Sequence, residues 1–316
     1  MSFPTTLVLV LLASYGLSNL LLSVLVAAGW RAGGFARLKR ADALLALRLL
    51  PAAGAALAVL TVVLPAFLLY EPAHADDHPG PLLVLAAGLT LLVCLDGIRR
   101  AGQAARAARA LVRSAELLRT EAFEGGPEVN LVNLAEPVVA VVGGWRQRIV
   151  AAHCVAAACD GEEFRQVVAH EAAHIDARDN LKRLALLAVP DVLAWLPAGR
   201  GLNAQWQAAT EIEADERASG ADPRKRVALA SALVKVARLA IAGPRPARTV
   251  RASGPGGGPG GGLEQRIKRL LAPSSGRARA FPGRRVATSA LLAPLLAVPL
   301  YAFVHRVIEF LVAFGR

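Results

Sequence analysis

The sequence predicts a mainly α, integral-membrane protein: four transmembrane helices, with an α+β domain between the third and the fourth. Three observations predict it. Hydrophobic residues make up 55% of the 316-residue chain and charged residues only 19%, a balance shifted toward the membrane class. The apolar residues gather in runs long enough to cross a bilayer at about 1.5 Å per helical residue. Basic residues crowd alternate loops between those runs, as orientation in a membrane requires.

The first span covers about 7–28, where no residue from Leu7 to Ala28 is charged. Met1 to Thr6 carries no basic side chain, so this is read as a retained span rather than a secretory signal. The second covers about 49–70. It contains Pro51, Gly54 and Pro65, which neighbouring helices make tolerable in a membrane. The third covers 81–98, and the fourth begins at Val286 and runs to about Val304. Arg31, Arg37, Lys39 and Arg40 follow the first span, whereas the loop after the second has Glu71, Asp76 and Asp77 and no Lys or Arg. Arg99, Arg100, Arg106, Arg109 and Arg113 follow the third, and Arg277, Arg279, Arg284 and Arg285 precede the fourth. Positive loops stay inside, which puts both termini outside and residues 99–242 in the cytoplasm. His305 to Phe314 is expected to be a short interfacial helix in the external tail.

The +12 net charge is attributed to anionic lipid headgroups, met by the span ends and a helical stretch from Arg99 to Arg119. No nucleic-acid motif accompanies it, and nucleic acid is not expected as a partner. Pro244 to Gly262 reads as a flexible linker. Leu263 to Leu271 reads as a basic amphipathic helix that docks on the domain or on the membrane surface. Cys94, Cys154 and Cys159 have no paired spacing and are expected to be small buried residues. His153 reads as structural, and Asn19, Arg48 and Asp96 in or near the spans are given no role; Arg48 and Asp96 lie near enough to span ends to snorkel.

The chemistry lies in His170-Glu171-Ala172-Ala173-His174. On a helix these histidines sit one turn apart on one face, so both reach a single Zn²⁺, with Glu171 beside the water that the metal acidifies to a pKa of about 7. Asp160 with Glu163 forms a capping-box start to that helix, and Phe164, Val167, Val168 and Ile175 supply its apolar stripe. A catalytic zinc needs a third protein ligand, and Glu211-Ile212-Glu213-Ala214-Asp215-Glu216 provides acidic candidates. Glu211 and Asp215 share a helical face, so one can bind metal while the other holds a ligating histidine or an arginine. Glu213 points about 200° away from Glu211.

The run from His170 through Arg178-Asp179 to Leu181, followed by Glu211-Ile212-Glu213-Ala214-Asp215, resembles the gluzincin-like integral-membrane zinc metallopeptidases of the bacterial β-lactam-sensing signal transducers. More distantly it is similar to the CAAX-prenyl and HtpX-type membrane proteases. The resemblance covers about residues 130 to 220. It implies His170, His174 and Glu211 as ligands of one Zn²⁺ per chain and Glu171 as general base. Asp215 and Asp179 become the candidates for holding ligating side chains. It also implies strands over Pro137–Gly143 and Arg148–Ala151. The sensor members continue into an extracellular ligand-binding domain, which this chain is expected to lack.

The expectation is therefore a multi-pass bacterial inner-membrane protein. Residues 1–98 hold three spans, 99–242 a cytoplasmic zinc metalloprotease domain, 243–285 the linker and amphipathic helix, and 286–316 the fourth span with a short external tail. Its activity would be zinc-dependent endopeptidase cleavage of a cytoplasmic or membrane-proximal protein, possible in regulatory signalling. The alternative is a non-catalytic zinc-containing membrane signalling or scaffold protein.

Overall fold

Among the described residues, three helices are long and apolar enough to cross a membrane. In this computed structural model the described residues are 3–70, 79–114, 116–122, 127–134, 136–242, 261–272 and Arg306. Helix α1 (Phe3–Arg31) is the first candidate span. The second is continuous from Ala41 to Tyr70, as α2 (Ala41–Ala58), a π-helical segment (Val59–Val63) and α3 (Leu64–Tyr70). Pro65 has no N–H to return to the preceding turn, and a widened turn accommodates that loss. The third span is the start of α4 (Pro81–Ser114). Val10, Ala13, Val59, Val63, Phe67, Leu83 and Ala87 form a common core between the three. Their outer faces leave Leu21, Leu25, Leu57, Leu60 and Leu92 exposed, the surface a helix presents to lipid. The expected fourth span lies outside the described residues, as do the linker except Gly261 and Gly262, which open the last helix, and the tail helix except Arg306.

The boundaries differ from the sequence expectation in two places. The second span begins at Ala41 rather than near Leu49, and Arg48 does not snorkel. Its side chain is 2% exposed and ion-paired with Asp191, itself 2% exposed, while Arg48 Nε donates to Asn203 Oδ1 at 2.9 Å. A buried partner removes the reason to reach for water. The helical stretch expected to reach Arg119 ends at Ser114, and Arg119 lies in strand β1 (Glu116–Glu121). There the ladder with β2 (Val129–Asn133), pairing Leu117 with Val132 and Thr120 with Asn130, overrides helix propensity.

Strands β3 (Val139–Val142) and β4 (Arg148–Ala152) complete a four-stranded sheet of order β1-β2-β4-β3. The β2–β4 pair is parallel and the other two pairs are antiparallel. One sheet face packs Val129, Leu131, Ile149 and Ala151 on Phe164 and Val168 of α6 (Gly161–Asp176). His153 opens the short α5 (His153–Ala158) directly after β4. The capping box at the start of α6 is formed: Asp160 Oδ1 accepts from the Glu162 and Glu163 N–H groups, and Glu163 Oε2 accepts from Asp160 N.

After α6, Arg178 in a left-handed conformation (φ 55°) turns the chain into α7 (Asp179–Ala188). The last residues of α7 lie against α4 at Gly97, where a Cβ would stand 2.5 Å from Ala188 O, so only glycine permits this approach. A 3₁₀ turn (Val192–Trp195) leads to α8 (Pro197–Ser219), which starts at a proline. The first half of α8 is clamped into the spans: Leu202, Trp206 and Ala209 share a core with Val26, Leu44 and Leu47. Its second half carries Glu211 and Asp215. Helix α9 (Pro223–Ala242) backs α6, and α10 (Gly261–Leu271) docks on α9 and α8.

Candidate metal centre

Helix α6 presents His170 and His174 on one face, with ring centroids 4.8 Å apart and Nε2 atoms 3.2 Å apart. Helix α8 crosses it and brings Glu211 Oε2 to 3.6 Å from His170 Nε2 and Glu211 Oε1 to 3.7 Å from His174 Nε2. The three ligand atoms lie within 4.8 Å of one another, and the group can hold a metal ion.

The surroundings of the imidazoles suit that use. His174 Nδ1 is 2.8 Å from Asp179 Oδ2, and His170 Nδ1 is 2.9 Å from Asp215 Oδ1. At His174 the Asp179 carboxylate keeps the proton on Nδ1 and turns the Nε2 lone pair toward a cation, and Asp215 stands beside the buried Nδ1 of His170. Asp179 owes its position to the turn at Arg178, which places the start of α7 beside the end of α6. Glu171 reaches the sheet edge, where its Oε2 accepts from Val141 N of β3 at 3.1 Å. Asn180 Nδ2 donates to Val141 O at 2.7 Å, so both polar groups of that edge residue are held.

Charge in the cluster is strongly coupled. Burial opposes protonation of His170, yet Asp215 and Glu211 outweigh it and raise its pKa to about 9. Burial raises Glu211 as well, but His170 and Arg266 reverse the sign and bring it down to about 2. Asp215 is also lowered: burial is offset by Arg266 and His170. Glu171 moves the other way. Burial raises its pKa, only partly countered by His170 and His174, which brings this carboxyl nearer the range useful for proton transfer.

Sequence reasoning missed Arg266. From α10 it reaches into the cluster, with Nε 2.8 Å from Asp215 Oδ2, one terminal nitrogen 2.7 Å from Asp215 Oδ1 and the other 2.8 Å from Glu211 Oε2. A two-pronged guanidinium fixes a carboxylate in both position and plane. The signal was present: Leu263, Arg266, Ile267 and Leu270 form the inward stripe of α10, and an arginine at a core position of an amphipathic helix calls for a partner. Helix α10 is held in turn by α9, where Arg226 donates to Leu270 O at 2.8 Å and to Arg269 O.

Glu213 takes neither metal nor histidine. Its Oε1 accepts from Ala41 N at 2.9 Å, and its Oε2 lies 3.3 Å from Arg217. It thereby ties α8 to the first residue of the second candidate span, two positions from Glu211. No protein-family model, no curated protein and no solved structure matches this chain.

Proposed function

We propose that this chain is a membrane-embedded zinc endopeptidase cutting a cytoplasmic or membrane-proximal protein. The observation that carries the reading is the convergence of His170, His174 and Glu211, each imidazole backed by its own carboxylate, with Glu171 adjacent and not part of the donor set. Two imidazoles and a carboxylate are the donor set that leaves a zinc one open position.

Zinc bound there would supply a Lewis acid and an acidified water. Glu171 takes a proton and later passes it to the leaving amine; its raised pKa suits both directions. Arg266 and Asp215 hold Glu211 and His170 in place. Val141 N keeps the Glu171 carboxylate oriented. The basic loops argue for a cytoplasmic site in a bacterial inner membrane, with a fourth span after α10 and both termini outside. The link from Glu213 to Ala41 supports a site close to the bilayer surface, where a membrane-proximal peptide bond is within reach.

The test is Glu171→Gln in the full-length protein, read by bound zinc and by a proteomic comparison of cells carrying it or the wild type. A protease keeps its metal, loses turnover and accumulates its substrate. A non-catalytic scaffold shows unchanged substrate fragments in both strains, and that result overturns the proposal.

A further inference from the structure

Between β3 and β4 the chain reverses through Gly143-Gly144-Trp145-Arg146-Gln147. The turn is tight: Gly143 has φ 101°, and a Cβ there would stand 2.1 Å from Arg146 O. It projects Trp145 with 86% of its surface exposed, and Arg146 and Arg148 beside it are exposed as well. An indole left this bare beside two arginines is an uncommon surface feature, because tryptophan is normally well covered.

Its place in the fold says what covers it. Gly144 meets the side chain of Leu184 on α7, and Asn180 of the same helix holds Val141 O. Two residues before Leu184, Lys182 Nζ lies 3.0 Å from Asp42 Oδ1, one residue into α2. The far end of α7 touches α4 at Gly97. The hairpin tip therefore stands beside the end of the candidate spans at which Arg31, Arg37, Lys39 and Arg40 gather. A further tryptophan marks the same end: Trp30 is the penultimate residue of α1. Only Trp206 is buried in the core. Tryptophans with arginines at one end of a set of spans have the chemistry of the bilayer interface, where indole sits at headgroup depth and guanidinium pairs with phosphate.

We propose that the β3–β4 hairpin is a membrane-contacting finger. Trp145 seats at the headgroup level, and Arg146 and Arg148 bind the phosphates of anionic lipids in the bilayer that α1, α2–α3 and α4 cross. The finger fixes the height of β3 above the bilayer, and through Val141 the position of Glu171. It rests on the membrane reading and is independent of proteolysis.

The test uses full-length protein reconstituted in phosphatidylcholine vesicles, with or without phosphatidylglycerol, and with or without lipid brominated near the headgroup end of its chains. Subtracting the emission of Trp145→Phe from that of the wild type isolates Trp145, and an unchanged circular-dichroism melting curve reports that the variant is folded. Trp145 emission is expected to be blue-shifted and mostly quenched by brominated lipid, more so with phosphatidylglycerol. Arg146→Glu with Arg148→Glu should abolish that phosphatidylglycerol increment. Water-like emission, untouched by brominated lipid and quenched by aqueous iodide, would mean that the hairpin faces solvent or a protein partner and overturns the proposal. Quenching indifferent to phosphatidylglycerol overturns the role of the arginines.

Discussion

Arg266 grips both oxygens of Asp215, at 2.8 and 2.7 Å, and through its third contact also holds Glu211. One side chain from a helix remote in sequence thus orients the carboxylate behind His170 and the carboxylate proposed to bind metal. Arg266→Ala should lower zinc affinity by about 10- to 100-fold, the usual cost of losing a group that orients a ligand. Arg266→Lys should fall between, because lysine keeps the charge and loses the fork. Chelator competition on the purified proteins checks the order; unchanged affinity in Arg266→Ala would show that α10 is only packing.

The two glutamates of α8 separate cleanly. Glu211→Gln should weaken metal binding strongly. Glu213→Ala should leave zinc in place and destabilise the protein by roughly 1 kcal/mol, because it removes an acceptor for the Ala41 N–H at a helix start and a half-exposed pair with Arg217. Parallel zinc titrations and melting curves decide this, and the assignment fails if Glu213→Ala loses the metal while Glu211→Gln retains it.

Arg48 and Asp191 form a buried pair inside the helical bundle. Removing one partner leaves an uncompensated charge, so Arg48→Met or Asp191→Leu alone should cost about 3–5 kcal/mol, whereas the double substitution should recover much of it. Thermal unfolding in detergent across the double-mutant cycle measures the coupling; additive losses would contradict it.

How much of this was legible in the sequence depends on the range of the interaction. The capping box at Asp160 and Glu163 and the shared face of His170 and His174 are local patterns, and sequence reading reached them; the strands around Val139 and Ile149 came from the family resemblance. Arg48 was misread because its partner lies 143 positions away on a segment with no pattern of its own. Arg119 was misread because a helical run of arginines and alanines gives way to pairing with β2, which propensity does not see. Arg266 was hidden in a helix taken only as basic and amphipathic. The tie from Glu213 to Ala41 was not legible because helix geometry says where a side chain points and not what waits there.

Strong acid should loosen the tie that Glu163 makes to Ser231 and Lys235 of α9. Burial raises its carboxyl, but the hydrogen bonds from Lys235, Ser231 and Asp160 N reverse this and leave it below its ordinary value. A carboxyl lowered on folding contributes stability that is complete above its unfolded pKa, about 4.3, and is lost as the pH falls through the lower folded value. Lys235→Met should weaken the protein at neutral pH and flatten the acid limb of its stability profile. Melting temperature against pH for both proteins checks this; identical acid limbs would show that Lys235 does not stabilise the ionised carboxyl.

The most direct measurement is the zinc content and zinc X-ray absorption spectrum of the purified full-length protein, beside His170→Ala and His174→Ala. The wild type should hold about one zinc per chain in a site of nitrogen and oxygen ligands with no sulfur, and each histidine substitution should empty it. Full zinc occupancy in both variants, or sulfur in the wild-type spectrum, would contradict a metal centre built from His170, His174 and Glu211.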